Sequence, residues 1–155
     1  MTDTTSRAAL VVDWRLWLMR LLALAGLGVS GYLTWTHLTN QAIACGGLQD
    51  CDIVQQSVYS AVLGGIPVAL LGMLAYATLL ALLFLRGRLP EAWDAYIPLA
   101  VFGISLIGVL YSAYLTYLEI YVIYAICRWC VSSAVIITAI FFLSLPDLRS
   151  GADLV

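Results

Sequence analysis

Residues 122–145 read VIYAICRWCVSSAVIITAIFFLSL, an unbroken apolar stretch whose one charged side chain is Arg128. About 20 such residues, coiled as a helix, cross a hydrocarbon core roughly 30 Å thick. Three more stretches of this kind lie upstream, near residues 16–37, 66–85 and 95–118. In lipid each backbone polar group must be satisfied inside its own segment, so repeated apolar spans read as helices. Small residues recur along them at spacings that let helices approach closely, such as Gly26 with Ser30 and Gly108 with Ser112. The expected fold is an all-α integral membrane protein: a four-transmembrane-helix bundle with a short outer-loop helix as a lid, residues 1–155 forming a single domain.

Composition points the same way. Hydrophobic residues make up 63% of the 155 and charged ones 10%, against roughly a quarter charged in an ordinary soluble domain. A disordered chain is excluded, because disorder goes with few aromatics and this sequence has five Trp and nine Tyr. Seven Arg, no Lys and nine acids leave a net charge of −2, which supplies no basic field for a phosphate backbone, so nucleic acid is not an expected partner.

The arginines order the spans. Arg7, Arg15 and Arg20 precede or begin span 1, Arg86 and Arg88 lie between spans 2 and 3, and Arg149 follows span 4. By the positive-inside rule both termini are cytoplasmic, and the loop 38–65 and the turn around Glu119, free of Lys and Arg, face outward. The expected location is the cytoplasmic (inner) membrane, crossed several times. Arg128 alone breaks the pattern, and near the outer end of a helix it can extend to the interface. Span 1 is not read as a signal peptide, since its apolar run continues to Trp35. The run Ala42-Ile43-Ala44-Cys45 faintly resembles a lipoprotein cleavage box, but the largely polar residues 36–41 part it from the apolar core.

In the outer loop, Asp52 followed by Gln55 has the form of a helix start. Gly64 and Gly65 would stop that helix, and Ile53, Val54, Val58, Ala61 and Val62 fall largely on one face, as suits a lid over the bundle mouth.

All four cysteines fall in this outer layer, where disulfides persist. Cys45 and Cys51 are spaced C-x5-C across Gly46-Gly47; Cys127 and Cys130 form C-R-W-C at the start of span 4. A helix N-terminus and the cation of Arg128 both favour thiolates at the second pair, while burial opposes them. Asp50 and Asp52 oppose ionisation of Cys51, which suits a disulfide member better than a resting thiolate. Three readings are open for the four sulfurs: two structural disulfides, a four-thiolate metal site, or a relay passing two electrons from a soluble thiol protein to a membrane acceptor. Use of a four-cysteine site to carry a metal or thiol compound across the membrane is the alternative function.

The flanking motifs narrow the choice. The run Cys51-Asp52-x4-Ser57-x-Tyr59 with Gly65-Ile66-Pro67 and Gly72, and the run Tyr114-Leu-Thr-Tyr117-Leu-Glu119 leading to Cys127-Arg-Trp-Cys130-x-Ser132-Ser133-Ala134, resemble the vitamin K epoxide reductase family in its bacterial form. The resemblance covers about residues 16–145 and carries no metal site. It implies a quinone-dependent thiol oxidoreductase that reoxidises a thioredoxin-like (DsbA-like) protein on the outer side and so supports disulfide-bond formation. The quinone would be ubiquinone, menaquinone or another vitamin K-type quinone. Carried over by motif, Cys45 meets the partner, Cys51 is its loop mate and exchanges with Cys127, and Cys130 meets the quinone. In the oxidised resting protein, Cys45 is expected to pair with Cys51 and Cys127 with Cys130. Ser57, Tyr59, Tyr117 and Cys130 are the expected quinone contacts, although an aromatic belt also accounts for Tyr111, Tyr114, Tyr117, Tyr121 and Tyr124.

Two departures shape these expectations. Many members carry a fused thioredoxin-like domain, and this chain stops ten residues after Leu145, so the partner is expected to be a separate protein. Vertebrate members place an Asn ahead of span 2 and a Tyr after the CxxC, where this sequence has Tyr59-Ser60-Ala61 and Val131-Ser-Ser-Ala134, so oxidation of partner thiols is expected rather than epoxide reduction. A DsbB-like bundle does similar work, but its cysteine pairs come in the reverse order. His37, the lone histidine, and Glu119 carry no assigned role.

Overall fold

The computed structural model describes residues 3–44, 50–62 and 66–152. Cys45 and the glycines at 46, 47, 64 and 65 lie outside the described residues. In chain order the elements are α1 (Asp3–Thr39), α2 (Asp50–Gln56), a 3-10 turn (Val58–Ser60), strands β1 (Ala61–Val62) and β2 (Ile66–Pro67), α3 (Val68–Leu85), α4 (Glu91–Asp94), α5 (Ile97–Leu118), a π turn (Glu119–Ile123) and α6 (Arg128–Ala152). Four helical segments among the described residues are long and apolar enough to cross a membrane: Trp14–Thr39, Val68–Leu85, Ala92–Ile123 and Arg128–Leu148.

The bundle is a ring in which α1 packs on α3 and α6, α5 on α6, and α3 more lightly on α5. Its centre is built from Met19, Ala23, Tyr76, Leu79, Leu83, Val101, Ile137 and Ile140, all buried. The outward faces are equally apolar: Leu24, Leu74, Leu99, Ile107, Val135 and Phe142 are exposed. A water-soluble helix would turn a polar face outward there, and lipid requires none. Hydroxyls inside the bundle bond back to their own helix. Ser30 donates to the Gly26 carbonyl at 2.8 Å and Thr34 to that of Ser30 at 2.8 Å, so neither needs water.

The small residues act as their spacing suggests. Gly26 faces the ring of Tyr76 and Gly108 faces Ile137, so closely that an added Cβ would collide in both places. The Tyr76 ring is fixed at its far end, where its hydroxyl donates to the Ser133 carbonyl at 2.8 Å. Gly26→Ala is therefore expected to displace the Tyr76 ring and cost about 1–3 kcal/mol of stability. A thermal-unfolding series in detergent checks this, and an unchanged midpoint would show that the contact yields freely.

At the end of the bundle away from the cysteines, Asp147 ties three elements together. Its carboxylate pairs with Arg15 at 3.5 Å and with Arg86 at 2.5 Å. Arg20 donates to the Leu83 carbonyl at 2.8 Å and lies over the Phe84 ring.

Four boundaries differ from expectation, each for a local reason. Span 4 starts at Arg128 rather than at residue 122, because the chain after α5 widens into the π turn and Tyr124 takes a left-handed conformation, φ 56°. Residues 124–127 then run without helix. Span 2 starts at Val68, since Ile66 and Pro67 pair with Val62 and Ala61 in a two-stranded ladder. The loop helix begins at Asp50 and ends at Gln56, short of the glycines, giving way to the 3-10 turn and the ladder. Asp52 accordingly does not cap α2; its Oδ1 accepts a hydrogen bond from the Ile43 N–H at 2.9 Å, tying the loop start to α2.

Candidate active site

Cys127 stands one residue ahead of α6 and closes the helix's first turn. Its carbonyl accepts from the Val131 N–H at 3.0 Å, and its sulfur accepts from the Cys130 N–H at 3.4 Å. This is N-capping with sulfur in place of the usual oxygen. Both cysteines of the C-R-W-C motif are free thiols. The Cys130 thiol hydrogen-bonds to the Cys127 sulfur and holds it below the ordinary thiol range; burial and the Glu119 charge oppose this, and the backbone N–H groups of Cys130 and Trp129 assist. Cys127 is thus the pair's nucleophile, because the thiolate is the reactive form. The expected contribution of the helix terminus is present. That of Arg128 is not: its side chain is exposed, and the acidity of Cys127 rests on hydrogen bonds.

Cys51 is in a disulfide. It and Cys127, each 1% exposed, share one buried cluster with Leu33 and Ile43, against which Val54, Tyr32, Trp129 and Cys130 pack. The loop pair and the helix pair therefore meet through Cys51 and Cys127. The structure shows the inner pair reduced and Cys51 oxidised, a state other than the fully oxidised one for which a Cys127–Cys130 disulfide is expected.

The loop start is clamped beside the pair. Trp129, between the two cysteines, donates its indole N–H to the Ala44 carbonyl at 3.2 Å, and the Ala44 N–H donates to the Tyr32 hydroxyl at 3.1 Å. The Tyr32 and Trp129 rings lie 5.1 Å apart. Ala44 immediately precedes Cys45, so this clamp fixes where the undescribed stretch leaves α1 and α6.

Below the cysteines opens a cavity of about 520 Å³, lined mainly by apolar side chains and reached by Cys51, Cys127, Cys130, Ser57 and Tyr59. That volume suits a ring-sized organic ligand. Of the expected quinone contacts, Ser57, Tyr59 and Cys130 line it. Tyr117 does not: it is 56% exposed and stacks on Tyr121 at 4.9 Å between centroids. On the helical repeat it is Tyr111, Leu115 and Leu118 that face inward. Tyr117 belongs with the outward aromatics. His37 lines the cavity from α1.

Glu119, without an assigned role from sequence, proves central. It opens the π turn, its carbonyl accepts from the Ala125 N–H at 3.2 Å, and its Oε2 accepts from the Cys127 N–H at 3.2 Å. Its carboxyl lines the same cavity as Cys130. At 3% exposed it is a buried acid beside two sulfurs. The available signal was a single acid in the otherwise uncharged stretch between residues 95 and 127, and charges at such places are seldom idle.

A pair of free cysteines at a helix start, the first of them buried, a disulfide sulfur packed against it and an apolar cavity beneath define a membrane thiol oxidoreductase. Residues 17–145 match the vitamin K epoxide reductase family. The chain belongs to that family, whose members are multi-pass membrane oxidoreductases that use quinones as electron partners.

Proposed function

We propose that this protein is a quinone-dependent disulfide-forming oxidoreductase that reoxidises a separate thioredoxin-like protein. The observation that carries the reading is the burial of Cys51 and Cys127 in one cluster, with Cys130 on the wall of an apolar cavity. Cys45 receives the partner's thiolate and is the loop mate of Cys51. Cys51, once released as a thiolate, attacks Cys127 of an oxidised inner pair, and Cys130 is the sulfur expelled. The loop disulfide re-forms as the inner pair becomes a dithiol. A state with Cys51 oxidised and the inner pair reduced is then the one loaded with electrons.

The residues fit a quinone. Apolar walls suit its ring, and Ser57 and Tyr59 supply hydroxyls for its carbonyl oxygens. When bound, the quinone supplies a two-electron acceptor within reach of Cys130. Trp129 and Tyr32 hold the loop start, so the sulfurs meet in one place rather than by diffusion of a free loop. The arginine distribution supports cytoplasmic termini and cysteines on the outer side of the cytoplasmic membrane.

Purified protein mixed with reduced thioredoxin-like protein and either ubiquinone or menaquinone is expected to bleach the quinone absorbance only when both substrates are present. Partner oxidation with no change in quinone absorbance would overturn the reading.

A further inference from the structure

A relay of sulfurs moves electrons but leaves one proton without a carrier. In the reduced inner pair, hydrogen bonds favour ionisation of Cys127, and the proton still to be placed is the one on the Cys130 thiol. Two acceptors border that hydrogen: the Cys127 sulfur, which lies 3.4 Å from the Cys130 N, and the Glu119 carboxylate, which accepts from the Cys127 N–H at 3.2 Å and lines the same cavity as Cys130. The first disappears when Cys127 bonds to Cys130, because a disulfide sulfur carries no charge to hold a proton. The second remains, buried at 3% exposure and fixed by the Cys127 N–H.

We propose that Glu119 is the catalytic proton acceptor for the Cys130 thiol as the inner pair gives up its electrons, an assignment that rests on the quinone reading of the cavity. The S–S bond forms between the Cys127 thiolate and the Cys130 sulfur, the S–H bond of Cys130 breaks, and its proton passes to Glu119. Two electrons leave on the quinone, with two protons, one handed on from Glu119 and one from water. Glu119 lines the same cavity as the two thiols, so the hand-off needs no path through protein.

The other titratable groups on that cavity are His37 from α1, Tyr59 from the 3-10 turn, Tyr76 from α3 and Tyr111 from α5, along with the oxidised Cys51 of α2. Of these side chains facing the cavity, Glu119 alone is a carboxylate, and it alone is bonded to the backbone of the C-R-W-C pair through the Cys127 N–H. The ion pairs of Asp147 with Arg15 and Arg86 lie at the other end of the bundle, so Glu119 is not spent in them.

A carboxylate that merely held the turn would be replaced well by an amide. Glu119→Gln keeps an oxygen to accept from the Cys127 N–H, removes the basic group, and lifts a negative charge that opposes ionisation of Cys127. Two readouts should therefore split. Alkylation of Cys127 by iodoacetamide, followed by mass spectrometry without any quinone, is expected to run at least as fast as in wild type. Single-turnover quinone reduction by the reduced protein is expected to slow roughly 100-fold, in the range of lost general acid–base assistance. Glu119→Asp, which keeps the base on a shorter arm, should recover part of that loss.

Wild-type quinone rates in Glu119→Gln would overturn the assignment. So would parallel loss of alkylation and quinone reduction in both variants, which is the mark of a collapsed turn. Wild-type protein that alkylates normally yet reduces no quinone would instead bring down the quinone reading, and the assignment with it.

Discussion

Cys130→Ala is expected to lower quinone reduction by roughly a thousandfold or more with every electron donor, as loss of one member of a group acting as a unit does. No other sulfur among the described residues lines the cavity in a position to replace it: Cys127 would have to act alone, and Cys51 is oxidised. The variant should also trap an intermediate. Cys127 attacks the Cys51 sulfur and expels Cys45 as a thiolate. Without Cys130 the mixed disulfide cannot go forward to a Cys127–Cys130 bond, and only the return attack of Cys45, which alkylation blocks, can undo it. The two residues are each 1% exposed in a common cluster, and a disulfide needs their Cα atoms within about 7 Å. The variant loses the thiol hydrogen bond that makes Cys127 acidic but keeps the backbone N–H groups at 129 and 130. Bond formation should therefore be slower than in the wild-type relay, while the product persists. Non-reducing peptide mapping of folded protein in detergent reads the 51–127 crosslink directly. Its absence from a well-folded variant would mean that the two pairs do not exchange.

Cys45→Ala should separate donors that Cys130→Ala treats alike. Turnover with a thioredoxin-like protein is expected to fall by at least about a hundredfold, because the sulfur assigned to meet the partner is gone. A small dithiol such as dithiothreitol can attack the inner pair without the loop and should sustain a measurable fraction of the wild-type rate. That fraction is limited by access, since Cys127 is 1% exposed beneath the loop. Cys51, freed of its loop mate, can form the same 51–127 bond from the opposite direction. Comparing initial rates with the two donors is the measurement. Equal loss of both activities would count against the order of the relay, since it would make Cys45 as necessary to the inner pair as Cys130.

Much of this was legible before any fold was known, and the limits are local ones. Long apolar runs, close-packing glycines at 26 and 108 and the C-R-W-C at the head of the last span are properties of a few consecutive residues, so periodicity and composition expose them. Ser57 and Tyr59 were readable from their motif and line the cavity. Tyr117 does not line the cavity, because motif membership does not say which way a helical side chain points; one residue's step along the helix separates it from inward-facing Leu118 and leaves it outside beside Tyr121. The helix starts at 68 and 128 were missed because adjacent backbone, a short ladder in one case and a π turn with left-handed Tyr124 in the other, displaces the helix. Asp52 looks like a cap until the Ile43 N–H claims it.

The amino-acid sequence by itself determined the solvent of this protein, its four spans and the grouping of its cysteines near one end, because lipid burial and chain length act on each segment separately. Only the tertiary structure decided which sulfurs meet and which acid stands beside them. Cys51 reaches Cys127, 76 positions away in the chain, only when Trp129 and Asp52 pin the loop and α1, α2 and α6 converge. Glu119 reaches the Cys127 N–H only because the π turn and the left-handed Tyr124 fold the chain back on itself. Such contacts are made by long-range closure and by single backbone angles, and neither leaves a periodic trace in the order of residues.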